Sequence, residues 1–172
     1  MRTSAGRWIS CRTCSPTGAP CACFTLVDAH TRECLALEAA PRFRGAEVAA
    51  ILSSVVRVRG VPQVIQCDQG TEFTSIVLDQ WAYWNKVQLD VSRRGKPGDS
   101  AVCEAFNGSV RRECLSQAYF LSYVDAQRVL ENWKSDYNNH RPHSSLQDLP
   151  PAHFRARELT PEIVSERSKQ PA

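Results

Sequence analysis

An α/β domain is the fold class expected from three features of this 172-residue chain. Short apolar runs suited to strands recur at 24–27, 34–37, 64–67 and 87–91. Longer stretches with apolar residues spaced by three and four lie between and after them, and Gly, Pro or Asn marks most of the junctions. A hydrophobic content of 42% suffices for one buried core at this length and excludes two large domains.

The elements come in order along the chain. Phe24-Thr25-Leu26-Val27 reads as a strand, His30-Thr31-Arg32 as a turn and Cys34-Leu35-Ala36-Leu37 as its antiparallel partner. Between Gly45 and Arg57, Val48, Ile51, Leu52, Val55 and Val56 form one helical stripe, closed by Gly60 and Pro62. Val64 to Cys67 suits a buried strand. A second amphipathic helix is expected to bury Phe73, Ile76, Val77, Trp81 and Trp84 on one face, and Val87, Leu89 and Val91 then alternate as a further strand. Arg93-Arg94-Gly95-Lys96-Pro97-Gly98 is a basic loop ending at Asp99, an N-cap for a helix running to about Cys114. On it Val102, Ala105, Phe106 and Val110 are expected to turn inward, leaving Glu104, Asn107, Gly108 and Arg111 on another stripe. Ser122-x-x-Asp125 opens a helix that buries Ala126, Val129, Leu130, Trp133 and Tyr137, and His140-Arg141-Pro142-His143 ends it. From Pro150 onward the chain reads as a loosely attached extension.

Twenty-one Lys and Arg against eighteen Asp and Glu leave a net charge of +3, so a basic surface must come from clustering. No apolar run reaches membrane-spanning length, and Met1 to Ser10 lacks a secretory core, which predicts a soluble, cytoplasmic protein with no membrane partner. Of eight Cys, Cys34, Cys67, Cys103 and Cys114 sit among apolar neighbours and read as small core residues. Cys11, Cys14, Cys21 and Cys23 crowd into a Ser, Thr, Pro and Gly rich segment and offer four thiolates to zinc, although the second pair has a single intervening residue.

Asp68 stands where a buried strand ends, before Gln69-Gly70-Thr71, a usual place for a metal ligand. Taken alone it is a turn former, as Glu104 alone is a solvated helix residue. With the basic loop, Asn107 and Arg111, they suggest carboxylates holding a divalent metal while cations grip phosphate.

Several separated motifs carry a resemblance: Cys67-Asp68-Gln69-Gly70-Thr71-Glu72-Phe73-Thr74-Ser75, Leu78-Asp79-Gln80-Trp81-Ala82-Tyr83, Gly95-Lys96-Pro97, Glu104-Ala105-Phe106-Asn107-Gly108-Ser109-Val110-Arg111-Arg112-Glu113-Cys114 and Asn139-His140-Arg141-Pro142-His143-Ser144-Ser145-Leu146. In this order they resemble the catalytic core of bacterial OrfB-type insertion-sequence transposases, of the retroviral-integrase-like group, from Phe24 to about Phe154. The resemblance implies a ribonuclease-H-like mixed sheet flanked by helices. It also implies an Asp, Asp, Glu triad whose last two members are thirty-five residues apart, matched by positions 69–103 between Asp68 and Glu104. A basic residue seven positions after the Glu is Arg111. Catalytic and metal-ligand roles thus fall to Asp68 and Glu104, with weakly bound Mg²⁺ or Mn²⁺ as cofactor. DNA contacts fall to Arg93, Arg94, Lys96, Asn107, Arg111 and Arg112. The partners implied are insertion-sequence ends, target DNA, and a second copy or an intact transposase.

The first acid of the triad is missing. The family pattern Trp-Ser-(Met or Leu)-Asp-Phe-Val-Ser-Asp corresponds here to Trp8-Ile9-Ser10-Cys11, which puts Cys11 in its place. Asp28 is a poor substitute, since it matches the strand-end Val-Asp before Thr-Arg-Glu-Cys. The genetic code supplies a reason: the Trp8 codon ends in G and the Ile9 codon begins AT, so their junction reads GAT, an Asp in a displaced frame. Residues 1–23 therefore read as an aberrant, out-of-frame segment, with an incomplete integrase-like core at 24–154 and a tail at 155–172. The expectation is a core for metal-dependent DNA cleavage and transfer that is catalytically defective, with its first central strand missing or degraded. The alternatives are a zinc-dependent nucleic-acid-binding module using the four early Cys, or a non-catalytic remnant that binds DNA or an intact transposase.

Overall fold

The computed structural model describes residues 7–14, 22–68, 70–71, 73–91, 99–116 and 120–160, with the backbone alone at 7, 9–14, 99 and 100. A five-stranded mixed sheet forms its centre, built from β1 (Arg7–Cys14), β2 (Ala22–Asp28), β3 (Cys34–Ala40), β4 (Val64–Cys67) and β5 (Gln88–Val91) in the order β3-β2-β1-β4-β5. The first three strands are antiparallel neighbours, whereas β1 to β4 and β4 to β5 run parallel.

Strand β1 is present and central, which corrects the expectation of a missing or degraded first strand. Its backbone pairs with β2 from Trp8↔Asp28 to Cys14↔Ala22 and with β4 from Arg7↔Val64 to Ser10↔Cys67. The ladder needs only N–H and C=O groups, which every residue of this Pro-free run supplies. Trp8, 3% exposed, adds apolar burial at the strand's start.

The sheet is buried on both faces, so β2 reads as a continuous apolar run. Against one face lie α1 (Gly45–Arg59) and α2 (Ile76–Asn85), enclosing Trp8, Phe24, Leu26, Val48, Leu52, Ile65, Phe73 and Leu78. Against the other lie α3 (Asp99–Val110), a π-helical turn (Arg111–Leu115) and α4 (Tyr123–Asn139), enclosing Val27, Leu37, Phe106, Val110, Leu115, Phe120, Leu130 and Tyr137. Ser122 caps α4 as expected, its hydroxyl accepting from the Asp125 N–H at 3.2 Å.

The outer edge of β3 is an exposed ladder in most sheets. Here α4 covers it with one polar stripe. Asn138 accepts from the Cys34 N–H at 2.9 Å and donates to its carbonyl at 3.0 Å. Lys134 donates to the Leu35 carbonyl at 2.8 Å, and Gln127 accepts from the Ala39 N–H at 2.6 Å.

Three expectations are corrected. In α2 the buried residues are Leu78 and Ala82, while Trp84 is 79% and Ile76 76% exposed and Val77 is also exposed. Phe73 is buried but belongs to the turn before the helix, so the stripe read from Phe73 is out of phase with the helix that starts at Ile76. In α3 Ala105 is exposed and Cys103 is buried in its stead. Lastly, the chain beyond Pro150 is no loose extension up to Glu158. It forms α5 (Pro151–Glu158), whose Glu158 meets His30 Nε2 at 2.6 Å and whose Phe154 ring lies 5.8 Å from the His30 ring.

Candidate functional site

Parallel pairing sets the site. Ser10 lies level with Cys67, the last residue of β4, and the next residues along the two chains are Cys11, still on β1, and Asp68, just beyond β4. Helix α3 packs against β1 and carries Glu104 on its exposed side. Asp68 is half-buried above Cys67, whose thiol is pushed up to about 12 by burial first and then by the negative charges of Asp68, Asp90 and Asp79. The strand end is thus an acidic corner.

Among the described residues the carboxylates do not make up a two-metal clamp. Mg²⁺ prefers hard oxygen ligands, and a two-metal site needs carboxylates from several elements at once. Position 11 carries a Cys where the resemblance calls for the third carboxylate. Among the described residues no group of three or more His, Cys, Asp or Glu is disposed to hold a metal ion. Asp28 is no replacement: its carboxylate accepts from the His30 and Thr31 N–H groups at 2.8 and 3.1 Å and so shapes the hairpin turn. Its partner Trp8 is three residues from Cys11 along β1, about 10 Å at strand rise.

Of the four early Cys, Cys23 alone has a described side chain. Cys23 is buried between β2 and the α3/α4 layer. Cys11 and Cys14 are described by backbone alone, and Cys21 lies outside the described residues. Of the four Cys expected in the core, all are buried; Cys34, Cys67 and Cys114 are free and Cys103 is disulfide-bonded. Burial, the largest effect in each case, raises the free thiols to about 12, 12 and 11. At pH 8 these three are expected to react with iodoacetamide roughly a hundredfold or more slowly than an exposed thiol, because the thiolate is scarce. Mass spectrometry of the native chain checks this, and labelling of Cys34 within minutes contradicts it.

The basic candidates divide. Arg93, Arg94 and Lys96 lie outside the described residues. Arg111 and Arg112 are exposed on the π turn after α3, and Arg112 reaches back over Gly108, where an added Cβ would meet Nη1 at 3.1 Å. Asn107 is half-buried; it accepts from Thr25 Oγ1 at 3.1 Å and donates to Cys103 Sγ at 3.5 Å, tying α3 to β2.

Sequence reasoning missed one cluster although both of its charged members stand in the quoted motifs. Glu113 accepts from Arg141 Nη1 at 3.0 Å, pairs again with Nη2, and accepts from Trp133 Nε1 at 2.8 Å. The Arg141 guanidinium lies 5.3 Å from the Trp133 ring centroid and 5.5 Å from that of Tyr137. The hydrogen bond from Arg141 holds the Glu113 carboxyl below its usual range against the opposing effect of burial. His143 packs edge-on to Tyr137 at 4.9 Å, its pKa lowered by burial and by the neighbouring Arg141 and Arg32. Two unlike charges twenty-eight residues apart were the available signal, but nothing in their local pattern pairs them.

Comparison with known proteins adds the family context. A family model described as an integrase core domain matches residues 8–97, just over half the chain, and a second so described matches 85–151. The chain is 43% identical over 135 residues to an uncharacterized 31.7 kDa protein of insertion element IS407 from Burkholderia multivorans, a match covering 78% of this chain and 49% of that protein. It is 30% identical over 92 residues to a transposase for insertion sequence element IS904 from Lactococcus lactis, covering 53% and 36% respectively. The chain thus spans about half or less of these relatives. The catalytic core domain of BIV integrase superposes with a TM-score of 0.70 at 12% identity, covering 96% of this chain and 99% of that one. The fold is therefore ribonuclease-H-like, as the resemblance implied.

Proposed function

The chain belongs to the integrase core domain family, and from that premise we propose that it is an insertion-sequence transposase core that binds DNA but has lost strand cleavage. The observation that supports the reading is the register of the central strands: Ser10 pairs with Cys67, so Cys11 follows on β1 as Asp68 follows β4, at the place where the resemblance calls for a carboxylate. Asp68 and Glu104 remain as the two acids of the ancestral triad, too few for a metal clamp. The remaining residues do simpler work. Arg93, Arg94, Lys96, Arg111 and Arg112 supply charge for phosphate contacts, and none needs the lost acid for that charge. The hydrogen bond between Thr25 and Asn107 holds α3 to the sheet, so the helix keeps its place without metal. Partners are duplex DNA of element ends and targets, and a second copy or an intact transposase. No described helix is long and apolar enough to cross a membrane. The aberrant origin of residues 1–23 belongs to the same proposal, and the nucleotide sequence around codons 1–30 tests it.

Binding is expected to be weak, indifferent to sequence and steeply salt-dependent, because phosphate contacts release counterions. Titrating labelled duplex at several salt concentrations measures the slope. Replacing Arg93, Arg94 and Lys96 by Ala is expected to flatten it by about one unit per lost contact. No binding at low salt, or an unchanged slope in the triple variant, sinks the reading.

A further inference from the structure

Between α3 and α4 the helix changes pitch. The Ser116 N–H donates to the Arg111 carbonyl at 2.8 Å, a five-residue bond that closes the π turn Arg111–Leu115. Such a turn accommodates about one residue more than an α turn, which shifts the helical phase of the residues after it by about 100°. Its buried residues are Cys114 and Leu115, while Arg111 and Arg112 are both exposed. Arg112 leans back over Gly108 and donates to Ser109 Oγ at 3.4 Å, so it covers the α3 face that also carries Glu104 one turn earlier. At the middle of the turn, Glu113 is gripped from outside: Arg141 comes from the segment after α4 and Trp133 from α4 itself.

We propose that Glu113, clasped by Arg141 and Trp133, is a positioning residue that holds the π turn and so aims Arg111 and Arg112 as a pair at the phosphates of bound DNA. This rests on the DNA-binding reading above and adds how the α3 side of that surface is set. An α turn at this point would change the phase of the residues that follow Arg111 and Arg112, and without the clasp on Glu113 the turn that carries the two arginines would lose its tie to α4 and the segment after it. A wide turn is a costly irregularity in a helix, and three hydrogen bonds to one carboxylate are what offset it here.

The test is a double-mutant cycle read by the slope of binding against salt on the full chain. Arg111→Ala with Arg112→Ala is expected to lower the slope by about two units, one per phosphate contact. Glu113→Gln keeps the side chain's shape but removes its charge; it is expected to lower the slope by a similar amount. Adding the Arg pair change to Glu113→Gln is then expected to lower it no further. Glu113→Asp should recover part of the slope, which a loss of packing alone does not predict. Trp133→Phe, which removes one donor and keeps the ring, gives a milder second probe should Glu113→Gln prove unfolded by circular dichroism. If the unaltered chain does not bind DNA, or the Arg pair contributes nothing to the slope, the DNA-binding reading or the arginines' role falls and this inference with it. If the Arg pair contributes but Glu113→Gln and Trp133→Phe leave the slope unchanged while folded, the clasp alone is refuted.

Discussion

Trp8→Ala is expected to destabilise the domain by about 3–5 kcal/mol, as for other aromatic truncations in packed cores. Trp8 is almost wholly buried and shares its cluster with Phe24, Leu26, Ile65 and Leu78. It also opens the strand that joins the β2–β3 hairpin to the β4–β5 pair, since β1 alone pairs with both β2 and β4. Domains of this kind have total stabilities of about 5–15 kcal/mol, so the change removes a large share. At about 2–4 °C per kcal/mol, the midpoint of thermal unfolding should fall by roughly 10 °C. Trp84→Ala is the control: that side chain is exposed on α2, and its removal is expected to stay within about 0.5 kcal/mol. Coincident midpoints for Trp8→Ala and the unaltered chain would show that β1 does not contribute to the folded domain.

How far the fold is legible in the sequence depends on where the local pattern has one solution. The hairpin, α1, β4 and α4 emerge from alternation or from stripes with clear stops, and their buried residues, such as Leu52, Ile65 and Leu130, are those the period selects. Helix α2 defeats the pattern because Phe73 lies in the preceding turn, and a stripe begun there selects Ile76 and Trp84, which face outward. Strand β1 is hidden by its composition, whereas the backbone ladder that forms it is indifferent to most side chains. The polar stripe of Gln127, Lys134 and Asn138 on α4 reads as solvent-facing. Its role depends on β3 being a sheet edge, a fact of tertiary structure. Asp68 and Glu104 are proposed from motif and spacing, and the structure adds only their places, after β4 and on α3. The clasp on Glu113 is not legible in the sequence, since its partners come from two later parts of the chain.

The unaltered chain, supplied with Mg²⁺ or Mn²⁺, is expected to leave supercoiled DNA intact, a total loss of cleavage. In-line displacement at phosphorus needs charge stabilised on both the attacking and the leaving oxygen, and the carboxylates that make this feasible must converge from neighbouring elements. Asp68 comes directly after β4 and Glu104 sits on α3, but β1 carries Cys11 where the proposed reading calls for the third acid. Cysteine sulfur in any form is a poor ligand for a hard cation. Cys11→Asp supplies a carboxylate one residue after the Ser10–Cys67 pair, as Asp68 is on the other strand. Nicking is expected to become detectable in this variant and to disappear again when Glu104→Gln is added. Agarose gels resolving supercoiled from open-circular plasmid read the result, with circular dichroism and the salt titration confirming that each variant folds and binds. Two outcomes count against the argument. Nicking by the unaltered chain that Glu104→Gln abolishes means the first acid is dispensable. A folded, DNA-binding Cys11→Asp variant that remains inert means the loss of cleavage has a second cause beyond position 11.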